Sequence, residues 1–448
     1  MVLHEDRSIF RGACMYIKQI ILKNIRGFSE VNFDLSRQDG TYAGWTVFTG
    51  DNGSGKSTLL KAIAVGLLGK DTSRSLQPSF NRWIRDGAGG EEASIQLEIV
   101  RREEDDTLVE MGRKPSAEFP AKIVFHNGGK ETSLQPAIPA GKPQKQKYST
   151  PERTIWSFDA KGWFSCGYGP FRRVFGASPE ATRQMVSPTT ERFVTMFQEA
   201  ASLAEVDQWM RNLKHKELEN KDAEREQLAL VLELLRDDLM PNQITVDRVD
   251  SDGLWLMDRN GVQLAWGEMS DGYRAAAALL ADIVRHLVGT YGFEGLTTKA
   301  EDGKTVIARS GVVLIDEIDA HLHPEWQREI GFWLKRHFPN IQFLVTTHSP
   351  IICQAADQNG LFVLPEPGSD NRPRPLTDEE YTKVISSRPD TILLSPAFGL
   401  QNTRSPRAVE ARAEFAKLQA KQRSGASLTA SEEGRVQTLM PFVSSEEE

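Results

Sequence analysis

The stretch DEIDAHLHPEW, residues 316–326, places three acidic residues and two histidines within eight positions, directly after an apolar run. Carboxylates at the end of a buried strand can hold a hydrated Mg²⁺ or polarise a water molecule. His321 and His323 lie two residues apart and could instead ligate zinc, although no cysteine lies nearby. The structural alternative is a helix-entry turn, with Pro324 at the first helical position.

A second stretch, GDNGSGKST at residues 50–58, fits the phosphate-loop pattern GxxxxGK[ST] between a predicted strand and a predicted helix. Its glycines allow main-chain N–H groups to surround phosphate oxygens, and its lysine can reach the β- and γ-phosphates. The pattern therefore favours ATP with Mg²⁺ over a glycine-rich structural turn. The predicted nucleotide contacts are Asn52, Gly53, Ser54, Gly55, Lys56, Ser57, Thr58 and, from the turn KNIRGF, Arg26; Ser57 is also assigned to the metal.

A nucleotide site gives the acidic stretch a defined chemistry. VVLIDE, residues 312–317, has the form of the Walker B motif, a buried strand that ends in acids. Asp316 is predicted to hold Mg²⁺ through water, and Glu317 is predicted to be catalytic, polarising the attacking water. The alternative is an acidic turn that caps the next helix.

A third motif, MSDGYR at residues 269–274, precedes a long apolar helix. On its own, this motif could be a helix N-cap with a glycine beside it. The ordered set GDNGSGKST, MSDGYR, VVLIDE and LVTTHSP, over about residues 15–350, resembles the ABC-type ATPase heads of the SMC, RecF and OLD-like group. That resemblance implies a homodimer or higher homo-oligomer in which two heads enclose the nucleotide.

The same resemblance implies further site residues. Ser270, Asp271 and Gly272 would form the signature that acts on the ATP of the other subunit. His348, in TTHSP, would be the catalytic switch histidine, and His321 and His323 would lie in the D-loop at the dimer interface. No glutamine matches the glutamine loop of the family, although residues 164–173 lie in its region.

The order of predicted elements indicates an α/β protein. We expect an ABC-type (P-loop) ATPase head with a mixed β-sheet, a short helical insertion and a C-terminal helical appendage. A segment rich in Gly, Pro and Lys at about 127–150 is predicted to be an exposed loop. The predicted parts are a loose N-terminal extension (1–14), an N-terminal lobe with the phosphate loop (15–179), the insertion (180–240), a C-terminal lobe with the other motifs (241–376) and a partner-binding appendage (377–448).

Composition limits the classes of protein. The net charge of −8 over 448 residues argues against a nucleic-acid coat that is basic all over. No apolar run approaches the roughly 20 residues that a membrane span needs, so we expect no membrane partner. Three isolated cysteines, Cys14, Cys166 and Cys353, and the lack of a visible secretory signal predict a reducing cytoplasm.

The role depends on what surrounds the head. The insertion of about 60 residues spans at most about 90 Å of helix, too little for the coiled coil of chromosome-tethering SMC proteins. The segment after His348 lacks the spaced acids of the OLD nuclease domain, so the chain is predicted to be an ATPase and not itself a nuclease.

The C-terminal segment ILLSPAFGLQNTRSP, residues 392–406, and the helices after it resemble the tail of ATPase subunits of Septu-type anti-phage defence systems. This resemblance implies a separate HNH nuclease partner, with DNA contacted through the complex. The alternative is a RecF-like repair ATPase or scaffold without a nuclease. The tail's apolar residues would form one face, which either docks the nuclease or packs on the chain's own head; they are Phe415, Leu418, Leu428, Val436 and Leu439.

Overall fold

The computed structural model describes residues 15–443, except 38–39, 89, 102–105, 107–116, 140–149, 159, 173, 175–186, 241–242 and 370. The predicted N-terminal extension therefore lies outside the described residues. The chain forms two compact units, of which the first ends at Ser387 and the second begins at Arg388. Residues 377–387, which the sequence assigned to the appendage, thus lie in the first unit.

The first unit contains an antiparallel sheet of five strands in the order β2-β1-β4-β5-β6. Alternating apolar residues of these strands point to one buried face, as in Phe28–Asp34. The segment expected to be an exposed loop instead contains β6, because the turn at Gly129 (φ 80°) returns the chain alongside β5. The strands are β1 (Tyr16–Ile25), β2 (Phe28–Asp34), β4 (Ala93–Val100), β5 (Glu118–Asn127) and β6 (Thr132–Ala137).

A second sheet of six strands carries the predicted motifs, in the order β16-β15-β3-β14-β13-β7. All neighbours are parallel except β16, which runs antiparallel to β15. The carboxyl ends of β3, β14 and β13 therefore lie at one edge. The strands are β3 (Gly44–Thr49), β7 (Ser165–Tyr168), β13 (Gly311–Ile315), β14 (Ile341–Thr346), β15 (Leu361–Val363) and β16 (Arg374–Pro375).

Helix α1 (Lys56–Leu76) packs against strands of both sheets and contributes Leu59, Leu60 and Ile63 to the main hydrophobic core. Its regular geometry breaks at Gly69, where φ is 73° and a Cβ would lie 2.7 Å from the ring of Trp156. Smaller β-structures accompany the sheets. They are the meander β8 (Thr245–Asp250), β9 (Gly253–Met257) and β10 (Gln263–Ala265), and the hairpin β11 (Thr297–Lys299) and β12 (Thr305–Ile307).

The remaining helices of the first unit include the predicted insertion and the helices that follow the motifs. They are α2 (Pro188–Glu191), α3 (Val194–Phe197), α4 (Ala204–Leu218), α5 (Asp222–Arg236), α6 (Asp271–Tyr291), α7 (Pro324–His337), α8 (Pro350–Cys353) and α9 (Asp378–Ser386). Among the residues that the structure describes, no helix is both long enough and apolar enough to cross a membrane. The α/β architecture and the parallel motif-bearing sheet confirm the predicted fold class.

The described part of the second unit contains the α-helices α10 (Pro389–Leu393), α11 (Pro406–Arg423) and α12 (Ala430–Leu439), and a 3-10 turn at Met440–Phe442. Its core is formed by Ala411, Phe415 and Leu439, with Leu418 and Val436 packed against them. Two ion pairs join α11 to α12: Lys421 pairs with Glu432, and Arg435 pairs with Glu414. Four of the five apolar residues that were expected to form one face therefore pack together within the second unit, and Leu428 is not part of this core. Docking of a partner on this unit stays a prediction.

Candidate nucleotide-binding site

The phosphate loop occupies the turn between β3 and α1, where its glycines adopt conformations that other residues rarely do. φ is 148° at Gly50, 82° at Gly53 and 97° at Gly55. A Cβ at Gly55 would also lie 2.8 Å from Cζ of Phe28, which packs against the loop. L side chains disfavour positive φ, so the backbone conformation of the loop requires the glycines that the sequence pattern contains.

Lys56, the first residue of α1, is held by the loop itself. Its Nζ donates hydrogen bonds to the carbonyl oxygens of Gly50 (2.7 Å) and Asp51 (2.9 Å). Burial lowers the pKa of Lys56, and the carboxylates of Glu317 and Asp316 oppose that shift. The ammonium group and both Walker B acids are therefore close enough to act on one another electrostatically.

The loop also presents polar atoms that fit a bound phosphate. The Ser54 and Thr49 hydroxyls are buried and have no hydrogen-bond partner within the described part of the chain. Buried hydroxyls are normally paired, so these two are suited to a ligand oxygen. Asn52 and Gly53 are exposed, and Ser57 and Thr58 are half-buried. The residues present thus fit a phosphate group with its magnesium ion.

The two acids that follow β13 differ in environment. Asp316 is 1% exposed, whereas Glu317 is half-buried and has φ of 47°. Thr346, at the end of the neighbouring β14, connects them: its Oγ1 donates to Oδ1 of Asp316 (2.6 Å) and accepts from the Glu317 main-chain N–H (2.7 Å). A non-glycine residue in the left-handed region needs such support from its surroundings.

Arg172 contacts the same turn from the other side. Its guanidinium donates to the carbonyl oxygens of Asp316 (2.8 Å) and Glu317 (2.9 Å). Sequence reasoning missed both Arg172 and Thr346. Thr346 lies inside the quoted LVTTHSP motif, and Arg172 lies in the segment that was compared with the glutamine loop without a match.

The predicted signature and D-loop are adjacent within one subunit. A Cβ on Gly272 would lie 2.5 Å from the carbonyl oxygen of His321, so only glycine allows this approach. Ser270 and Asp271 are exposed, and Asp271 forms an ion pair with Arg274. Ser270 occupies the N-cap position of α6, yet its side chain makes no capping hydrogen bond. A capping role alone therefore does not explain this serine.

The histidines of the two loops have separate environments. His323 caps α7, because its Nδ1 accepts a hydrogen bond from the Glu325 main-chain N–H at 3.4 Å, and Pro324 begins that helix. This matches the helix-entry alternative. His321 is exposed with φ of 67°, and His348 is exposed just after β14. The described residues contain no group of three or more His, Cys, Asp or Glu side chains that could hold a metal ion.

Arg26 lies in the turn between β1 and β2. Its guanidinium stacks 4.7 Å from the ring centroid of Trp83. Burial lowers the pKa of Lys61 on α1, the charge of Asp316 opposes this shift, and the charge of Arg26 adds to it. Arg26 is thus near the helix that carries the phosphate loop, and its role as a nucleotide contact stays a prediction.

The structure places Lys56 of the phosphate loop near the Walker B acids, and it places the predicted signature against the predicted D-loop at His321. Among the described residues, no hydrogen bond or ion pair joins Ser270, Asp271 or Gly272 to the loop at 50–58. The signature is an exposed N-terminus of α6 beside the D-loop.

Comparison with protein families gives two matches, each to a little under half of the chain. The family described as "AAA domain, putative AbiEii toxin, Type IV TA system" matches residues 142–354. The family described as "AAA domain" matches residues 19–239. The Smc head domain with an extended coiled coil from Pyrococcus furiosus is 16% identical, with a TM-score of 0.46, and the match covers 83% of this chain and 98% of that one.

Curated relatives come from bacterial systems. The Escherichia coli protein "Retron Ec83 probable ATPase" is 40% identical over 24% of this chain and 18% of its own length. The Bacillus mycoides (strain KBAB4) Septu protein PtuA is 24% identical over 88% of this chain and 46% of its own length. The Vibrio cholerae "Retron Vc95 probable ATPase" is 24% identical over 82% of this chain and 76% of its own length. The chain thus spans less than half the length of the first two relatives. The chain is thus similar to the Septu protein PtuA and to probable retron ATPases, and its phosphate loop and parallel strand order are those of a P-loop ATPase fold.

Proposed function

We propose that this protein is an ATPase whose heads pair around two molecules of ATP. The observation that supports it best is the division of the site. Lys56, Asp316 and Glu317 lie close to one another in one head, whereas Ser270 is exposed at the start of α6 and makes no capping hydrogen bond. A second copy of the chain would supply Ser270, Asp271 and Gly272 to the phosphate end of the nucleotide.

In this proposal, the loop amides and Lys56 bind the phosphates, and Ser57 and Asp316 hold Mg²⁺. The ion would neutralise phosphate charge when bound. Glu317 orients and polarises the attacking water, and its carboxylate is fixed by a backbone that Thr346 and Arg172 hold in place. His348 lies exposed after β14, where it could contact the terminal phosphate.

Two variants test the chemistry. Glu317→Gln is expected to bind ATP with near-normal affinity, to lose hydrolysis by about 10²-fold or more and to accumulate ATP-bound dimers. Lys56→Ala is expected to lose ATP binding. Phosphate release and equilibrium binding of a fluorescent ATP analogue separate the two effects. Near-normal turnover by Glu317→Gln would contradict the assignment of the catalytic acid.

A mixing experiment tests the shared site. Ser270→Arg damages the site of the opposite subunit, whereas Lys56→Ala damages the site of its own subunit. A mixed dimer would therefore contain one intact composite site, although each parent is inactive. Subunit exchange is verified with two affinity tags. If the verified mixed dimer shows no more phosphate release than either parent, the sites are either not shared or so strictly coupled that one intact site cannot work alone.

We further propose that ATP binding and hydrolysis regulate a separate nuclease subunit, of the HNH type, in anti-phage defence, with DNA contacted through the complex. The similarity to the Septu protein PtuA supports this role. The second candidate is a RecF-like ATPase or scaffold without a nuclease. Co-purification of the tagged full chain from its native host decides between them. A nuclease subunit in the eluate supports the first, and DNA-stimulated ATPase activity of the chain alone supports the second.

A further inference from the structure

Arg172 is a buried cation at the centre of the turn that carries the catalytic acid. The residue is 4% exposed. Its guanidinium donates to five main-chain carbonyl oxygens, which are those of Gly169 (3.2 Å), Asp316 (2.8 Å), Glu317 (2.9 Å), Ile318 (3.3 Å) and Ala320 (3.3 Å). Four of these carbonyls come from the segment 316–320, which joins the Walker B strand to the D-loop.

Convergence of these carbonyls requires an unusual backbone path. Glu317 has φ of 47°, and His321, at the end of the turn, has φ of 67°. Carbonyl dipoles that point to one place repel one another unless a positive charge lies among them. The planar fork of an arginine can serve several oxygens at once, which the ammonium group of a lysine cannot do with the same geometry.

The charge of this arginine persists although the residue is buried. Burial lowers the pKa of Arg172 to about 10, while the carboxylates of Asp316, Asp319 and Glu317 oppose the shift. The group is therefore cationic at neutral pH. The main-chain carbonyl oxygen of Tyr168, four residues before Arg172, accepts a hydrogen bond from the Asp316 main-chain N–H at 2.9 Å. The end of β7 and the residues after it therefore contact the turn at two places.

We propose that Arg172 is a positioning residue for Glu317: its guanidinium holds the turn 316–320 in the path that directs the Glu317 carboxylate to the attacking water and sets the position of the D-loop. The inference rests on the proposed ATPase function. It gives this arginine a role on the backbone of the catalytic acid rather than on the nucleotide. Loss of the Arg172 guanidinium is therefore expected to lower the rate of ATP hydrolysis and to leave the phosphate loop unchanged.

The test compares Arg172→Lys with Arg192→Lys. Arg192 is a half-buried arginine whose pKa burial also lowers, and its guanidinium donates to the hydroxyls of Thr290 (2.7 Å) and Thr189 (3.2 Å) rather than to the catalytic turn. For Arg172→Lys we expect kcat for ATP to fall about 10- to 100-fold, with KM changed by less than about threefold. Arg192→Lys should retain the wild-type kcat even where its thermal midpoint falls.

A double-variant comparison isolates the route of the effect. If Arg172 acts through Glu317, then Arg172→Lys should add almost no further loss in a Glu317→Gln background. Additive losses, a kcat of Arg172→Lys within about twofold of wild type, or an equal fall in both arginine variants would each overturn the inference. None of these outcomes contradicts the proposed function, because each compares a variant with a wild-type chain that hydrolyses ATP.

Amide hydrogen exchange gives a readout that is independent of activity. We expect the amides of residues 317–322 to exchange faster in Arg172→Lys than in Arg192→Lys or wild type, because the turn loses its central contacts. Unchanged exchange at these amides overturns the inference. If wild-type chain releases no phosphate from ATP, the proposed function fails, and the exchange comparison still decides whether Arg172 holds the turn.

Discussion

The hydroxyl of Thr346 offers the sharpest single perturbation of the site. The residue is fully buried at the end of β14, and its hydroxyl serves Asp316 and Glu317 at 2.6 Å and 2.7 Å. Thr346→Val keeps nearly the same side-chain shape and replaces the hydroxyl by a methyl group. The substitution therefore leaves a buried carboxylate oxygen and a buried N–H without this partner.

The expected cost follows from these two contacts. A hydrogen bond to a charged group contributes about 1.5–3 kcal/mol, and an unsatisfied buried donor costs about 1–3 kcal/mol. Because both contacts share one hydroxyl, we expect a combined loss of about 3 kcal/mol for Thr346→Val. Thr346→Ser keeps the hydroxyl and removes one methyl group, at a cost of about 1 kcal/mol. Valine should thus destabilise more than serine, although it is the better packed residue.

The assay is urea unfolding followed by tryptophan fluorescence. All nine tryptophans lie before residue 388, so the signal reports the first unit alone. The same proteins are assayed for phosphate release, where Thr346→Val should lower kcat by about 10²-fold because Glu317 is no longer held. ATP affinity should change less than kcat, since the phosphate loop is untouched and only the position of the Asp316 carboxylate is affected. Equal midpoints and equal kcat for the valine and serine variants would refute the role of the hydroxyl.

Three further outcomes are expected. Gly272→Ala should abolish hydrolysis but not ATP binding, because its Cβ would lie 2.5 Å from the His321 carbonyl oxygen and displace the signature from the D-loop. Burial, and then a hydrogen bond with Glu191, raise the pKa of Glu205 from 4.5 to about 7. Its proton therefore contributes stability that is lost as pH rises from about 4.5 to about 7, so Glu205→Gln should gain stability relative to wild type between pH 5 and pH 8. Phe415→Ala should unfold the second unit and abolish nuclease co-purification while ATPase activity persists, because the core of that unit is small.

Each of these has a matched control. A Cβ at Gly267 would meet no atom within 4 Å, so Gly267→Ala should hydrolyse ATP normally, and equal inactivity of both glycine variants would argue against the specific contact. Glu226 is exposed on α5, so Glu226→Gln should follow the wild-type pH dependence in urea titrations. Val409→Ala, on the exposed side of α11, should retain the nuclease. Retention of the nuclease by Phe415→Ala would place the docking surface outside the second unit.

Motif spacing predicted the features that depend on neighbouring residues. The phosphate loop is local, since the positive φ of Gly53 and Gly55 and the start of α1 are set within a few positions of the chain. The buried strand before Asp316 and the following β-strand formed a parallel pair as expected, because their continuous apolar runs suit a strand that is covered on both faces. The helix-entry turn at Pro324 was likewise recognisable from residue type alone.

Tertiary structure decided which distant residues support the catalytic acid. Thr346 reaches Glu317 across 29 positions, and Arg172 reaches it across 145, because the strand order places β14 on one side of β13 and β7 on the other. No local pattern encodes that order. Packing also decided that Phe415 is buried within its own helical unit, although its amphipathic spacing is equally compatible with a docking face. Periodicity shows that a helix face is apolar, whereas the surface that covers it depends on how the whole chain folds.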